Sequence, residues 1–161
     1  MAIASVLTDS FKTELMRSGH NFDTAGATPA GSAFKLALYT SSANLGTTPT
    51  VYATTNEITN AAGTAYSAGG KALTNSGVTT STVTSHTDFA DLSVANGTAW
   101  TTASFTTRGC LIYNTSIVSG FTTNRAVCSI DFGGDKTVSN GTFSIEFPTN
   151  SDSAAIIRLT S

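Results

Sequence analysis

The run "AFKLALYT", residues 33–40, alternates with a period of two. It sorts Phe34, Leu36 and Leu38 onto one face and Lys35, Ala37 and Tyr39 onto the other, which is strand geometry and not a helical stripe. The same pattern returns in "TRGCLIYNT" (107–115), "NRAVCSIDF" (124–132), "GTFSIEFP" (141–148) and "AAIIRLT" (154–160). Connections of roughly six to ten residues, rich in Ser, Gly, Asn and Asp, join these runs, as they do successive antiparallel strands. Composition agrees: charged residues make up only 11% of the 161, against roughly 25% in ordinary soluble domains. Threonine fills much of the gap, and its β-branched side chain suits a pleated, half-buried surface. The chain is therefore expected to be all-β, an antiparallel β-sandwich of about eight strands, jelly-roll-like, in one domain.

The middle of the chain is less regular. Residues 44–70 read as a long connection with a possible edge strand around Val51. "KALTNSGVTTSTVTS" (71–85) offers two short polar strands about an Asn75-Ser76-Gly77 turn. In "HTDFADLSVA" (86–95), Phe89 is out of phase with Leu92 and Val94, which predicts a break, and Asn96-Gly97 predicts a turn before Trp100 and Phe105.

Only the start is helical in character. In "VLTDSFKTELMRSGHNF", Thr8, Asp9 or Ser10 can cap a helix whose Leu7, Phe11 and Leu15 share a face, and Gly19 is placed to end it. Two or three turns are not stable alone, so this segment must dock, either on its own domain or on a neighbour. We therefore divide the chain into an N-terminal arm, residues 1–31, ending in the turn-rich "DTAGATPAGSA", and a β-sandwich, residues 32–161. The residues expected at a partner interface are Ile3, Val6, Leu7, Phe11, Leu15 and Phe22 of the arm, together with Trp100.

Several function classes fall away. A net charge of −2 supplies no basic field for nucleic acid. No segment is apolar over the length that a helical membrane span needs. "MAIASVLTDSFK" lacks the positive and apolar regions of a secretory signal, so synthesis in the cytoplasm without that route of export is expected. Cys110 and Cys128 are too few for a disulfide framework and lack metal-site spacing. They fall roughly across from one another; a cross-strand disulfide is conceivable there, and a reduced buried pair is the reading we adopt.

The candidate chemistry is thin. Asp131-Phe132-Gly133 spells the metal-holding triplet of protein kinases, but without the phosphate loop, strand lysine and catalytic aspartate that triplet needs. Asp131 and Asp135 could offer oxygens to calcium, though two carboxylates alone bind weakly. The plainer reading is a turn between two good strands, with Gly133-Gly134 supplying positive φ and Asp135 capping backbone donors. His86 and Asp88, beside Ser85, would share one strand face, and a solvent-facing pair is expected. Paired carboxylates for glycoside hydrolysis can be drawn among Glu57, Asp91, Asp131 and Glu146 only because scattered acids always permit it. Trp100, Tyr39, Tyr52 and Tyr66 are possible sugar-stacking residues, although packing is the commoner use of each. No catalytic residue, metal or cofactor is expected.

Two blocks carry a resemblance. "EITNAAGTAYSAGGKALT" (57–74) and "WTTASFTTRGCLIYN" (100–114) are followed by Phe132-Gly133, Thr137-Val138, Gly141-Thr142-Phe143 and the closing run Ala155 to Leu159. This order resembles small virion structural proteins of tailed bacteriophages, in which a tyrosine-Ser/Thr-Ala-Gly-Gly turn precedes a strand and an Ile-Tyr-Asn strand follows. The likeness spans about Ser32 to Thr160 in scattered blocks and leaves the arm unmatched. It implies a non-enzymatic capsid decoration (cement) protein at the virion surface, a trimer or dimer that stabilises the head lattice by binding the major capsid protein. A tail, neck or fibre component with a receptor- or glycan-binding role is the alternative. A small hydrolase or carbohydrate-binding module is the third reading.

Overall fold

The computed structural model describes residues 2–59, 63 and 65–161; Asn60 to Ala62 and Thr64, inside the long connection and the first resemblance block, lie outside the described residues. Eight strands and one short helix are found among those described. They run in the order β1 (Val6–Leu7), α1 (Asp9–Met16), β2 (Phe34–Tyr39), β3 (Lys71–Leu73), β4 (Asn75–Thr80), β5 (Thr84–Phe89), β6 (Trp100–Asn114), β7 (Arg125–Phe143) and β8 (Ile157–Thr160). Two antiparallel sheets result, ordered β1-β7-β6-β2-β3 and β4-β5-β8. The all-β expectation with a short N-terminal helix holds.

The larger sheet is apolar on both faces. Along β2, Phe34, Leu36 and Leu38 enter the main core, which is shared with Phe89 and Ile157 of the smaller sheet. Ala37 and Tyr39 enter a second cluster with Leu111, Tyr113, Ala43, Leu45 and Ile3. The period-two reading of this strand was thus correct for both faces, and the second face is covered by chain from the long connection. Val51 does make an edge bridge, to Arg125.

Where alternation breaks, the structure departs from the sequence reading. Thr107 pairs with Lys136 and Gly109 with Asp131, so Phe132, Gly133, Gly134 and Asp135 all stand opposite Arg108. "DFGGD" is therefore a wide bulge inside the single strand β7, and not a connection between two strands. Gly133, at φ +74°, allows the detour. Val127 is a second extra residue, between the pairs Ile112–Cys128 and Tyr113–Ala126. Likewise the expected Asn75-Ser76-Gly77 turn is a bulge within β4, with Ser76 and Gly77 opposite Asp88 between the pairs Asn75–Phe89 and Val78–Thr87. The true crossing comes one residue earlier, because Leu73 pairs with Phe34 of one sheet and Asn75 with Phe89 of the other.

The N-terminal segment docks on its own chain. Val6 and Leu7 pair with Ser129 and Cys128. Thr8 caps α1 by accepting the Phe11 N–H at 3.3 Å, and its hydroxyl faces the Ala126 and Val127 carbonyls at 3.2 and 3.3 Å. The cap thus satisfies backbone acceptors beside the Val127 bulge. At the other end Gly19 N–H bonds the Glu14 carbonyl and Ser18 N–H the Leu15 carbonyl, a Schellman arrangement. Ser18, at φ +60°, takes the left-handed position that Gly19 was expected to fill. Phe22 stacks on Phe34 with ring centroids 4.6 Å apart. Residues on the two sides of the 31/32 boundary therefore share one core.

The residues expected at a partner interface thus lie within or against the chain's own core. Ile3, Phe11, Phe22 and Trp100 are buried within the chain, and Val6, Leu7 and Leu15 are half-buried against it. Side chains already enclosed by their own sheet have little surface left for a partner. Cys110 and Cys128 are free, buried thiols, with Cys110 opposite Ile130 and Cys128 opposite Ile112. Burial raises both, Cys128 to about 12.

Two outcomes follow. Phe22→Ala should lower unfolding stability by about 3–5 kcal/mol, whereas Met16→Ala, at a side chain 89% exposed, should change it by no more than about 0.5 kcal/mol; denaturant midpoints compare them. Both thiols should resist Ellman's reagent in the native protein and react fully once it is unfolded.

Candidate functional site

Three places draw polar or open surface together: a carboxylate–tyrosine cluster, a buried ionic cluster under α1, and an apolar groove along β7.

The first centres on Glu57, only 6% exposed. Its Oε2 accepts from the Tyr52 hydroxyl at 2.6 Å, and its Oε1 accepts from the Tyr66 hydroxyl and the Gly69 N–H, each at 2.7 Å. The Tyr66 oxygen in turn accepts the Leu38 N–H, and the Tyr113 hydroxyl donates to the Gly69 carbonyl at 2.7 Å. Tyr52 and Tyr113 stack with centroids 4.6 Å apart. A buried carboxylate with these three donors is held by hydrogen bonds, with no salt-bridge partner in contact among the described residues. Burial, then the Glu57 charge, raises the Tyr113 phenol to about 12, and Tyr39, Tyr52 and Tyr66 are also raised above their ordinary value. These phenols are donors at neutral pH and poor bases. The arrangement pins the long connection to β2 and β6.

The second cluster joins α1 to the strands. Arg125 is fully buried; its guanidinium donates to the carbonyls of Gly19, Ser116 and Thr122. Its Nε lies 3.4 Å from Glu14 Oε2, and the Phe121 ring lies over it at 5.2 Å. The same Glu14 oxygen is 2.8 Å from His20 Nε2, while His20 Nδ1 is 3.0 Å from Asn114 Nδ2. Asn114 Oδ1 is occupied by the Ser116 N–H at 2.8 Å, so its amide group faces the imidazole. His20 therefore accepts at Nδ1 and donates from Nε2. Burial first, and then the neighbouring Arg125 charge, lowers it to about 4. Burial raises the Glu14 carboxyl, against the opposing pull of Arg125 and Arg17.

The groove, about 460 Å³, runs beside β7 and is lined chiefly by Ile130, Phe132, Phe143, Ile145, Phe147 and Ile156. Lys136 and Glu146 stand among its lining residues. Its surface suits apolar contact better than proton transfer.

The residues suggested by sequence are placed as follows. Asp131 receives Arg108 through Nε at 2.8 Å and Nη2 at 3.3 Å, and accepts the Gly133 N–H at 2.9 Å. Arg108 holds its carboxyl below the usual range. It braces the bulge; among the described residues no group of three or more metal-ligating side chains gathers there or elsewhere. His86 and Asp88 are not the solvent-facing pair expected: both are buried, and Asp88 accepts the N–H groups of Phe89 and Ile156. Asp91 accepts the Phe147 N–H. Trp100 packs on Tyr66, Phe105 and Phe143, with Lys71 5.4 Å above its ring, so neither Trp100 nor Tyr39 nor Tyr66 offers a face to sugar. Sequence reasoning missed the roles of His20, Arg125 and Asn114. A lone histidine near a helix end and an arginine opening an apolar strand were the only signals, and neither reports burial.

Comparison with models of protein families, with curated proteins and with solved structures finds no match to this chain.

Tyr66→Phe removes the donor to Glu57 and the acceptor of a fully buried Leu38 N–H. It should lower stability by about 1–3 kcal/mol, read from denaturant unfolding. Because the folded phenols hold their protons above the ordinary value, their contribution is complete below about pH 10 and should fade as pH rises further.

Proposed function

We propose that this chain is a non-enzymatic structural protein of a bacteriophage virion, a capsid decoration protein that stabilises the head lattice by contacting the major capsid protein as a homo-oligomer. The observation that carries the reading is a convergence of the residues on which the resemblance rests. Glu57, the Tyr66 to Gly70 turn and the Ile112-Tyr113-Asn114 strand, scattered in sequence, form one hydrogen-bonded unit through Glu57 Oε1 and the Gly69 N–H and carbonyl. Gly70 lies so close to the Leu36 carbonyl that a Cβ would overlap its oxygen. A side chain cannot be accommodated there. The pattern thus describes a scaffold, which supports a structural task and not a chemical one.

Low charge density and a threonine-rich surface support the same reading, since a protein held by many weak, wet contacts on a lattice needs neither a strong field nor a deep pocket. Because the N-terminal segment is docked on β7, the lattice contacts are assigned to loop tips and exposed strand faces of the oligomer. A tail, neck or fibre role is the competing assignment. Quantitative mass spectrometry of purified virions separates the two. A copy number comparable to that of the major capsid protein is the expected result, and a few copies per particle would sink the decoration role.

A further inference from the structure

The N-terminal segment is fastened at its far end by an imidazole that the fold cannot easily charge. His20 is 7% exposed and lies between rings, 5.0 Å from Phe11 edge-on and stacked 6.4 Å from Phe34. Each of its nitrogens has one compatible role. Nε2 donates to Glu14, and Nδ1 accepts from Asn114, whose amide cannot turn without losing the Ser116 N–H. A proton added at Nδ1 would set donor against donor. It would also place a second cation beside Arg125, with the single carboxylate Glu14 between them.

We propose that protonation of His20 undocks α1 and the turn after it from the strands, making the N-terminal segment an acid-released arm. The groups facing His20 can be taken element by element. From α1 comes Glu14, with Arg17 beyond it over Phe121 at 4.9 Å; from β7 comes Arg125; from β6 comes the uncharged Asn114. From β5, His86 borders the same small cavity of about 190 Å³. Of the charged neighbours, Arg125 resists a charge on His20 and Glu14 favours it.

The sign follows from linkage. In the undocked segment the imidazole titrates near its ordinary 6.5, and in the docked one near 4. Docking is therefore fully favourable above pH 6.5 and weakens as pH falls through that value. From His20 alone the undocked fraction should rise by up to about tenfold per pH unit below 6.5 and level off toward pH 4, on the order of a hundredfold or more in all. Glu14, raised by burial, acts in the opposite sense, because the docked state holds its proton more readily. Its effect grows toward the carboxylate range and tempers the acid end of the window. Release would uncover the Phe22, Phe34 and Phe89 rings while leaving the β6–β7 ladder closed.

The test is amide hydrogen exchange between pH 7.5 and 4.5, corrected for the intrinsic pH dependence of exchange. Protection at Phe11 to Gly19 should fall as stated, while central β6 amides such as Leu111 and Ile112, flanked by β2 and β7, keep theirs. A parallel fall at both places, or no fall at α1, would overturn the proposal. His20→Gln retains an acceptor toward Asn114 and a donor toward Glu14 without titrating, so its helix should keep protection across the range; the same acid loss in this variant would also overturn it. Should that variant not fold, the His20 ring signals of the unaltered protein decide. An imidazole that charges near pH 6.5 while α1 remains protected refutes the mechanism, and one that stays neutral until α1 opens supports it.

Discussion

A sheet that is apolar on both faces has to be covered twice, and most of this structure follows from that need. The smaller sheet closes one face of β1-β7-β6-β2-β3 around Phe34, Leu36, Ile112 and Phe89. The other face, with Ala37, Tyr39, Leu111 and Tyr113, has no second sheet against it among the described residues, and Ile3, Ala43, Leu45 and Tyr52 are drawn over it. Segments without regular secondary structure must then lie flat against apolar side chains, with their backbone groups near a dry surface. The Glu57 cluster answers that problem: one carboxylate gathers two phenols and a backbone amide and fixes the long connection where it covers the sheet.

The same requirement explains why the N-terminal segment belongs to the body of the protein. Its β1 residues lengthen the sheet at Cys128 and Ser129, its helix cap meets carbonyls beside the Val127 bulge, and its two rings complete the aromatic stack under α1. Arg125 then joins three segments through carbonyls on the 115–124 loop and at Gly19. Breaking a buried charged contact of this kind costs more than forming it gains, since the abandoned charge stays desolvated. The network thus selects one docking geometry more than it adds stability.

Legibility in the sequence tracked regularity. The faces of β2 were readable because its alternation is unbroken, and the start of α1 because a hydroxyl cap precedes a spaced apolar set. The four residues from Phe132 to Asp135 were misread because a bulge and a hairpin turn use the same glycines and acids; only pairing to β6 on both sides tells them apart. The burial of His86 and Asp88 is not legible because polarity suggests exposure, whereas β5 is the central strand of its sheet and is enclosed along most of its length. Which surface the apolar arm would cover was open for a different reason. A list of buried side chains does not say whose sheet buries them.

The bulge bears on how such a chain behaves when crowded. Beyond Asp131 the outer edge of β7 has no strand laid against it among the described residues. A long, flat, weakly charged edge is a template on which further copies can add strand by strand into fibres. Here the backbone leaves the extended region at Gly133 and again at Asn140, φ +46°. The stretch between them is short and includes Asp135 and Lys136. A neighbour seeking to extend the sheet finds no run of evenly spaced donors and acceptors to follow. With so few charges along the chain, this irregular border, and not electrostatic repulsion, is what denies a neighbouring strand an even backbone ladder.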